Sequence, residues 1–262
     1  MKFSRKLVLT GGVVVAVGAC GMLADAAVAA RAEAHVASAV ARESNLEMEP
    51  RVSIGGSPYL ASTLTGEISG MSVEVLDVDT PGFGLVNAST QLDGLKVTAD
   101  QVLTGEISGA RAELSTRRIS LDGVAVGEQL GMTDLDISNP YDISPTGGGA
   151  TEVQLTGTPE GFSDPVTVLA TLRLDGEHFT MRPYEVLEAP EGREEEAAAA
   201  FAWDLDTRVL PLESRVESVG VSGGSLRFEA QRRNITVSLS DLAPIESSEA
   251  SDFDSTDYGA GR

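Results

Sequence analysis

The chain has 262 residues, and 19 Lys and Arg against 40 Asp and Glu give it a formal net charge of −21. A hydrophobic content of 42% suffices for a buried core, whereas the 5% aromatic content and the strong negative charge argue against nucleic-acid binding. One cysteine, Cys20, excludes an intramolecular disulfide and a cysteine-based zinc site, and two histidines leave little scope for metal chemistry.

Residues 1–25 predict a signal peptide or membrane anchor. Basic residues come first, and residues 7–24 then follow without a charge. Eighteen residues lie between the length of a signal-peptide core and that of a spanning helix, so cleavage near residues 27–29 and retention as an anchor both stay open. Lipid attachment at Cys20 is a third alternative. All three place the remaining chain in the cell envelope, in or near the periplasmic space.

A helix is predicted from Ala26 to Ser44. Its apolar residues recur at spacings of three and four, at Val28, Ala32, Val36, Ala39 and Val40. This narrow, alanine-rich stripe suits close packing against a sheet, and a continuous extension of the preceding apolar segment is the alternative. Pro50 closes the segment.

From residue 50 onward the apolar spacing becomes alternating, which predicts β-strands. The alternating segments are residues 71–75, 95–99, 166–174, 226–230 and 235–239. Gly, Asn and Asp punctuate these segments and no long helices alternate with them. We therefore expect one β-dominated α+β domain with antiparallel sheet over residues 26–242.

Two further segments break the alternation. Residues 190–201 predict a short helix with an acidic first turn, and residues 243–262 predict a disordered acidic tail. Three consecutive glycines at 147–149 predict a flexible loop. The heptapeptide Leu-Thr-Gly-Glu-Ile-Ser-Gly occurs identically at residues 64–70 and 103–109, which predicts two equivalent turns that enter strands.

Catalytic motifs are missing from the sequence. It contains no G-x-S-x-G, no glycine-rich loop followed by Lys-Ser/Thr and no H-E-x-x-H, and His178 has no supporting motif. We expect neither enzymatic activity nor a cofactor. The D-x-D pairs beginning at Asp77, Asp134 and Asp204 have the spacing of cation ligands, but among so many acids we interpret them as solvated sheet edges and expect no metal.

Two arginine pairs stand out against this acidic background: Arg117-Arg118 and Arg232-Arg233. The planar guanidinium donates two parallel hydrogen bonds to a phosphate. Beside an apolar groove these four side chains would suit a phospholipid head group. The alternative is that they offset neighbouring carboxylates such as Glu113 and Glu229.

Residues 49–60, Glu-Pro-Arg-Val-Ser-Ile-Gly-Gly-Ser-Pro-Tyr-Leu, resemble the opening motif of the actinobacterial LmeA-type phospholipid-binding proteins. The stretch from Leu210 to Val237 is similar to the closing segment of that family. The order of apolar leader, Ala-rich helix and sheet also matches. The Glu-rich helix and the acidic tail depart from the family pattern.

The resemblance implies a curved antiparallel sheet wrapped on a long N-terminal helix, similar to the tubular lipid-binding domains of bactericidal/permeability-increasing proteins. It implies a non-catalytic phospholipid carrier or presenter that supports elongation of lipomannan-type lipoglycans at the membrane, with an envelope glycosyltransferase as a candidate partner. The alternative is an envelope scaffold that recruits a cell-wall enzyme through its acidic helix and tail.

Carried over to this sequence, the family motif nominates Ile54, Pro58, Tyr59 and Leu60 as lipid-binding residues. With the four arginines they make up the predicted site. A helix-to-sheet junction is the structural alternative for the motif, in which Gly55 and Gly56 allow a tight turn and Tyr59 and Leu60 fill the core.

Overall fold

Two antiparallel sheets form the body of the protein in a computed structural model, which describes residues 5–44, 46, 48–56, 58–140 and 152–245, with side chains from residue 16 onward. Strands make up 45% of the structure and helices 29%. The sheet curls into a half-barrel beside an N-terminal helix. The predicted fold class is therefore confirmed. The glycine loop at 147–149 and residues 246–262 of the tail predicted at 243–262 lie outside the described residues.

The larger sheet has six strands in the order β1-β2-β3-β4-β11-β10. They are β1 (Arg51–Gly55), β2 (Glu67–Thr80), β3 (Gly84–Lys96), β4 (Arg111–Asp122), β10 (Val216–Ser222) and β11 (Ser225–Thr236). At one end of this sheet Glu67, Lys96, Arg111 and Thr236 are successive register partners on β2, β3, β4 and β11. We call this the helical end, because the connections that leave it contain short helices.

The smaller sheet has five strands in sequence order. They are β5 (Asp136–Ser138), β6 (Glu152–Gly157), β7 (Val166–Asp175), β8 (His178–Glu188) and β9 (Trp203–Asp206). The alternation predicted for residues 166–174 corresponds to β7. A two-residue turn at Gly176 and Glu177 joins it to β8, and Gly176 has a positive φ of 67°.

The first helix, α1 (Arg5–Glu43), runs without a break for 39 residues. The helix predicted from Ala26 is thus the second half of a longer one, as in the alternative of a continuous extension. The predicted stripe faces the larger sheet, and Ala32, Val36 and Val40 are buried there. Among the described residues, no helix combines the length and the apolar character needed to cross a membrane.

The remaining helices are short: α2 (Ser62–Thr65), α3 (Ala99–Thr104), α4 (Gly123–Leu130), α5 (Glu194–Ala200) and α6 (Leu239–Leu242). Two of them overturn predicted strand segments. Thr98 caps α3 by accepting a hydrogen bond from the Gln101 amide, so the strand predicted at 95–99 ends at Lys96. Ser238 caps α6 in the same way, so Leu239 begins a helix instead of ending a strand. In both places a local side-chain cap outweighs the alternation.

The apolar core is divided into two clusters. The first lies between the two sheets, where Phe179 contacts Trp203 and Phe228 edge to face at centroid distances of 5.4 and 5.1 Å. The second lies between α1 and the helical end of the larger sheet. Ala243 and Ile245 are buried, so the packed part of the chain extends at least to residue 245.

Candidate functional site

The first part of the candidate site is the seam between α1 and the edge strand β1. An edge strand has outward backbone N–H groups without a strand partner. Glu33 of α1 meets one of them, because its Oε1 accepts a hydrogen bond of 2.9 Å from the amide of Ile54. Asp25, two turns earlier, accepts hydrogen bonds from the amides of Tyr59 and Leu60 at 2.9 and 2.6 Å. Two carboxylates therefore hold the opening motif against the helix.

Tyr59 is a core residue of this seam. It begins a 3₁₀ turn (Tyr59–Ala61), and its hydroxyl donates a hydrogen bond of 2.9 Å to the carbonyl of Val102 on α3. Burial, and to a lesser extent the charge of Glu33, raises the pKa of the Tyr59 phenol. The side chain is therefore neutral at physiological pH and ties α1, the 3₁₀ turn and α3 together.

The other motif residues lie closer to the surface of the seam. Ile54 and Leu60 are half-buried, and Pro58 is exposed ahead of the 3₁₀ turn. Val28, Ala29 and Val52 are half-buried apolar neighbours of the second core cluster on the same side. Tyr59 therefore has a structural role, whereas Ile54 and Leu60 contribute to an apolar margin that solvent can reach.

The second part of the candidate site is a charged cluster on the inner face of the larger sheet. Arg117 on β4 is only 4% exposed, and its guanidinium contacts Glu213 Oε1 at 2.9 Å and donates to the Ser240 carbonyl at 2.7 Å. Glu213 also pairs with Arg232 of β11 at 3.0 Å, and Arg232 pairs with Asp241 at 2.8 Å. We call Arg117, Arg232, Glu213 and Asp241 the inner charge cluster.

Hydrogen bonding determines the ionisation of Asp241. Its burial acts to raise the pKa of the carboxyl, but hydrogen bonds from Ser238 and the ion pair with Arg232 outweigh burial and lower that pKa. Asp241 is therefore a carboxylate at neutral pH. The cluster consists of two guanidinium groups and two carboxylates that balance one another.

The other two arginines lie on the outer face of the sheet, since adjacent residues of a strand point in opposite directions. Arg118 pairs with Glu229 of β11 at 2.6 Å, and Arg233 is exposed. The structure therefore brings the four arginines onto neighbouring strands but not onto one face. Arg117, Arg118 and Arg232 pair with carboxylates, as in the alternative interpretation that these arginines balance neighbouring acids. Whether any of the predicted site residues binds lipid stays a prediction.

The two parts of the site are separate. Among the described residues, no hydrogen bond or ion pair joins the seam residues to the four arginines. Along β4 the inner charge cluster falls between the two apolar clusters, because Ala112 belongs to one and Ile119 to the other. Arg117 is the buried polar boundary between them.

Three side chains of the D-x-D pairs have local protein partners: those of Asp134, Asp204 and Asp206. Asp134 accepts hydrogen bonds from the amide and hydroxyl of Thr158, and Asp204 pairs with Arg182 at 2.6 Å. Asp206 pairs with Arg208, and that side-chain hydrogen bond lowers the pKa of Asp206 to about 2. In the part of the chain that the structure describes, no three His, Cys, Asp or Glu side chains lie close enough to hold a metal ion.

Comparison with known families decides what kind of protein has this geometry. A family model described as LmeA-like phospholipid-binding matches residues 23–231. The chain belongs to the LmeA-like phospholipid-binding family. No curated protein and no solved structure matched it.

The range matched to the LmeA-like family contains the seam, Arg117, Arg118 and Glu213, whereas Arg232, Arg233 and Asp241 lie just beyond it. Four residues that organise the site in this LmeA-like protein were not identified from the sequence: Asp25, Glu33, Glu213 and Asp241. The one signal in the sequence is Asp25, the first charge after a long uncharged run. The others could not be identified, because their partners are distant in the chain.

Proposed function

We propose that this protein is a non-catalytic phospholipid carrier or presenter of the cell envelope that supports elongation of lipomannan-type lipoglycans. The proposal rests on one observation, the match of residues 23–231 to a phospholipid-binding family. A glycosyltransferase of the envelope is the proposed partner. Export or anchoring through the N-terminal segment is part of the same proposal.

The seam supports a place for an acyl chain. Val52, Ile54 and Leu60 present half-buried apolar surface beside α1, close to the points where Glu33 and Asp25 hold the backbone. An acyl chain laid along this margin would bury apolar surface that now faces water, at about 25 cal/mol for each Å².

The arginines differ in their access to a head group. The side chains of Arg232 (41% exposed) and Arg233 are accessible to solvent, whereas that of Arg117 is not. A phosphate would therefore meet Arg232 on the inner face, or Arg233 on the outer face, before it reached Arg117. Because the net charge of −21 opposes general adhesion to anionic lipid, any preference for anionic head groups must arise at such a local site.

The decisive experiment is lipid extraction and mass spectrometry of the purified full chain, together with transfer of a labelled phospholipid from donor to acceptor vesicles. We expect phospholipid to co-purify and transfer to be accelerated. Leu60→Gln should slow transfer, since it places an amide in the seam, and Leu85→Gln, at the far β2–β3 turn, is the matched control. Absence of co-purifying phospholipid and of transfer would reject the carrier and leave the scaffold as the alternative.

The arginine contribution is tested by head-group selectivity. In Arg232→Gln/Arg233→Gln, transfer of anionic phospholipid should fall by about tenfold, the lower end for a charge-assisted contact, because Arg232 is partly exposed. Transfer of zwitterionic phospholipid should change little, and the difference should shrink as salt rises. Arg208→Gln removes a charge from the 3₁₀ turn that follows β9 and serves as control. Equal losses for both lipid classes would indicate damaged packing instead of head-group recognition.

A further inference from the structure

Apolar side chains project into solvent at the helical end of the larger sheet. Leu64 on α2 is 91% exposed and Leu103 on α3 is 57% exposed. These two leucines are the first residues of the two identical heptapeptides, residues 64–70 and 103–109. The repeat therefore places the same apolar residue on the surface twice.

Contacts within the protein account for the glycine, the threonine and the isoleucine of each heptapeptide. Gly66 and Gly105 end α2 and α3 with positive φ angles of 70° and 78°. In each copy the threonine hydroxyl accepts a hydrogen bond from the following glutamate amide, at 3.4 Å in the first copy and 3.3 Å in the second. Ile68 and Ile107 are both 2% exposed in the second core cluster.

The repeated leucines lack such an internal explanation. A helix cap needs the glycine and the core needs the isoleucine, but a leucine in water stabilises neither. Its recurrence at equivalent, exposed positions points to an apolar partner outside the protein.

Both leucines lie where α1 leaves the folded domain. The β1–β2 and β3–β4 connections meet at this end, and α2 and α3 are in contact there. Asp25 binds the 3₁₀ turn before α2, and Gly105 packs against Ala32 of α1. Beyond Asp25, toward the N-terminus, Val17, Met22 and Leu23 are exposed on α1.

We propose that Leu64 and Leu103 form a bilayer-contact surface that is continuous with the exposed apolar side chains of Val17, Met22 and Leu23 on α1. The acids of the repeat do not oppose this contact, because Glu67 pairs with Lys96 at 2.5 Å and Glu106 lies 3.6 Å from His35. The partner is therefore a lipid surface reached by apolar insertion, without a requirement for anionic lipid. This surface concerns where the protein meets the membrane and holds whether or not a lipid is carried.

The test measures insertion depth in the full chain bound to phosphatidylcholine vesicles. In a Cys20→Ser background, Leu64→Cys and Leu103→Cys each receive an environment-sensitive fluorophore, and vesicles with spin-labelled acyl chains act as quenchers. Leu85→Cys is the matched control, because Leu85 is 58% exposed and lies at the opposite end of the sheet. The native Cys20, labelled in the unmodified chain, reports on α1.

We expect blue-shifted emission and at least severalfold stronger quenching at positions 64 and 103 than at position 85. Labels at 64 and 103 that stay as exposed as the label at 85 would overturn the proposal, whatever the Cys20 label reports. Insertion of both leucines without phospholipid transfer would keep this surface and reject the carrier function, so the two failures are distinguishable.

Discussion

Replacing Arg117 with Gln is expected to lower the free energy of unfolding by about 2–4 kcal/mol, somewhat less than complete loss of a buried ion pair. Arg117 is almost fully buried and faces Glu213 and the Ser240 carbonyl. A glutamine cannot reach both partners, and the carboxylate loses one of its two cations. Because Glu213 keeps Arg232 as a partner, the loss stays below that of an orphaned buried charge.

Arg118→Gln is the matched control. It removes the same charge one position along β4, but Arg118 lies on the outer face and its pair with Glu229 is about one-quarter exposed. We expect a loss below about 1 kcal/mol, as for ion pairs near the surface. Chemical denaturation of both variants measures the difference. Equal losses would mean that the inner charge cluster contributes no more than a surface pair, and its role as a boundary between the two cores would have to be abandoned.

Replacing Gly105 with Ala is expected to lower the free energy of unfolding by about 2–5 kcal/mol and to weaken the packing of α1 on the domain. Two effects add at this position. The φ of 78° costs an alanine about 1–2 kcal/mol. The new Cβ would also lie 2.9 Å from the Cα of Ala32, and relieving that overlap costs a further 1–3 kcal/mol or so.

Gly66→Ala isolates the first effect, because Gly66 occupies the same place in the other copy of the repeat. Its φ is 70°, but the nearest atom to an added Cβ is 3.7 Å away. We expect the free energy of unfolding to fall by about 1–2 kcal/mol and the packing of α1 to stay unchanged. Thermal unfolding gives the two stabilities, and hydrogen exchange at residues 25–40 reports the packing of the helix. Faster exchange there in both variants, or in neither, would contradict close packing of Gly105 on α1.

The Gly105 prediction bears on the proposed function through the position of α1. The seam exists because Asp25 and Glu33 hold the helix against β1 and the 3₁₀ turn. A variant that releases α1 should widen the seam, so Gly105→Ala connects stability to lipid transfer. The inner charge cluster, by contrast, separates the two cores without touching α1 in any described ion pair.

Local periodicity in the sequence was enough to predict several elements. The stripe of Val36 and Val40 on α1 and the alternation of β7 depend only on which side chains recur every 3.6 or every 2 residues. The lack of long helices between the strands likewise predicted an antiparallel, β-dominated α+β fold. These features are properties of neighbours in the chain. Even so, where β3 ended was missed, since the cap formed by Thr98 and Gln101 competes with a continuing alternation.

The candidate site was decided by tertiary structure. Arg117 and Arg118 are identical and adjacent in the sequence, yet one is buried and one is partly exposed. Alternation states that they face opposite ways, but which face is inward depends on what packs against the sheet. For Arg117 that includes Ser240, which lies 123 positions further along the chain. No local pattern encodes a contact of that range, because folding alone brings the two segments together.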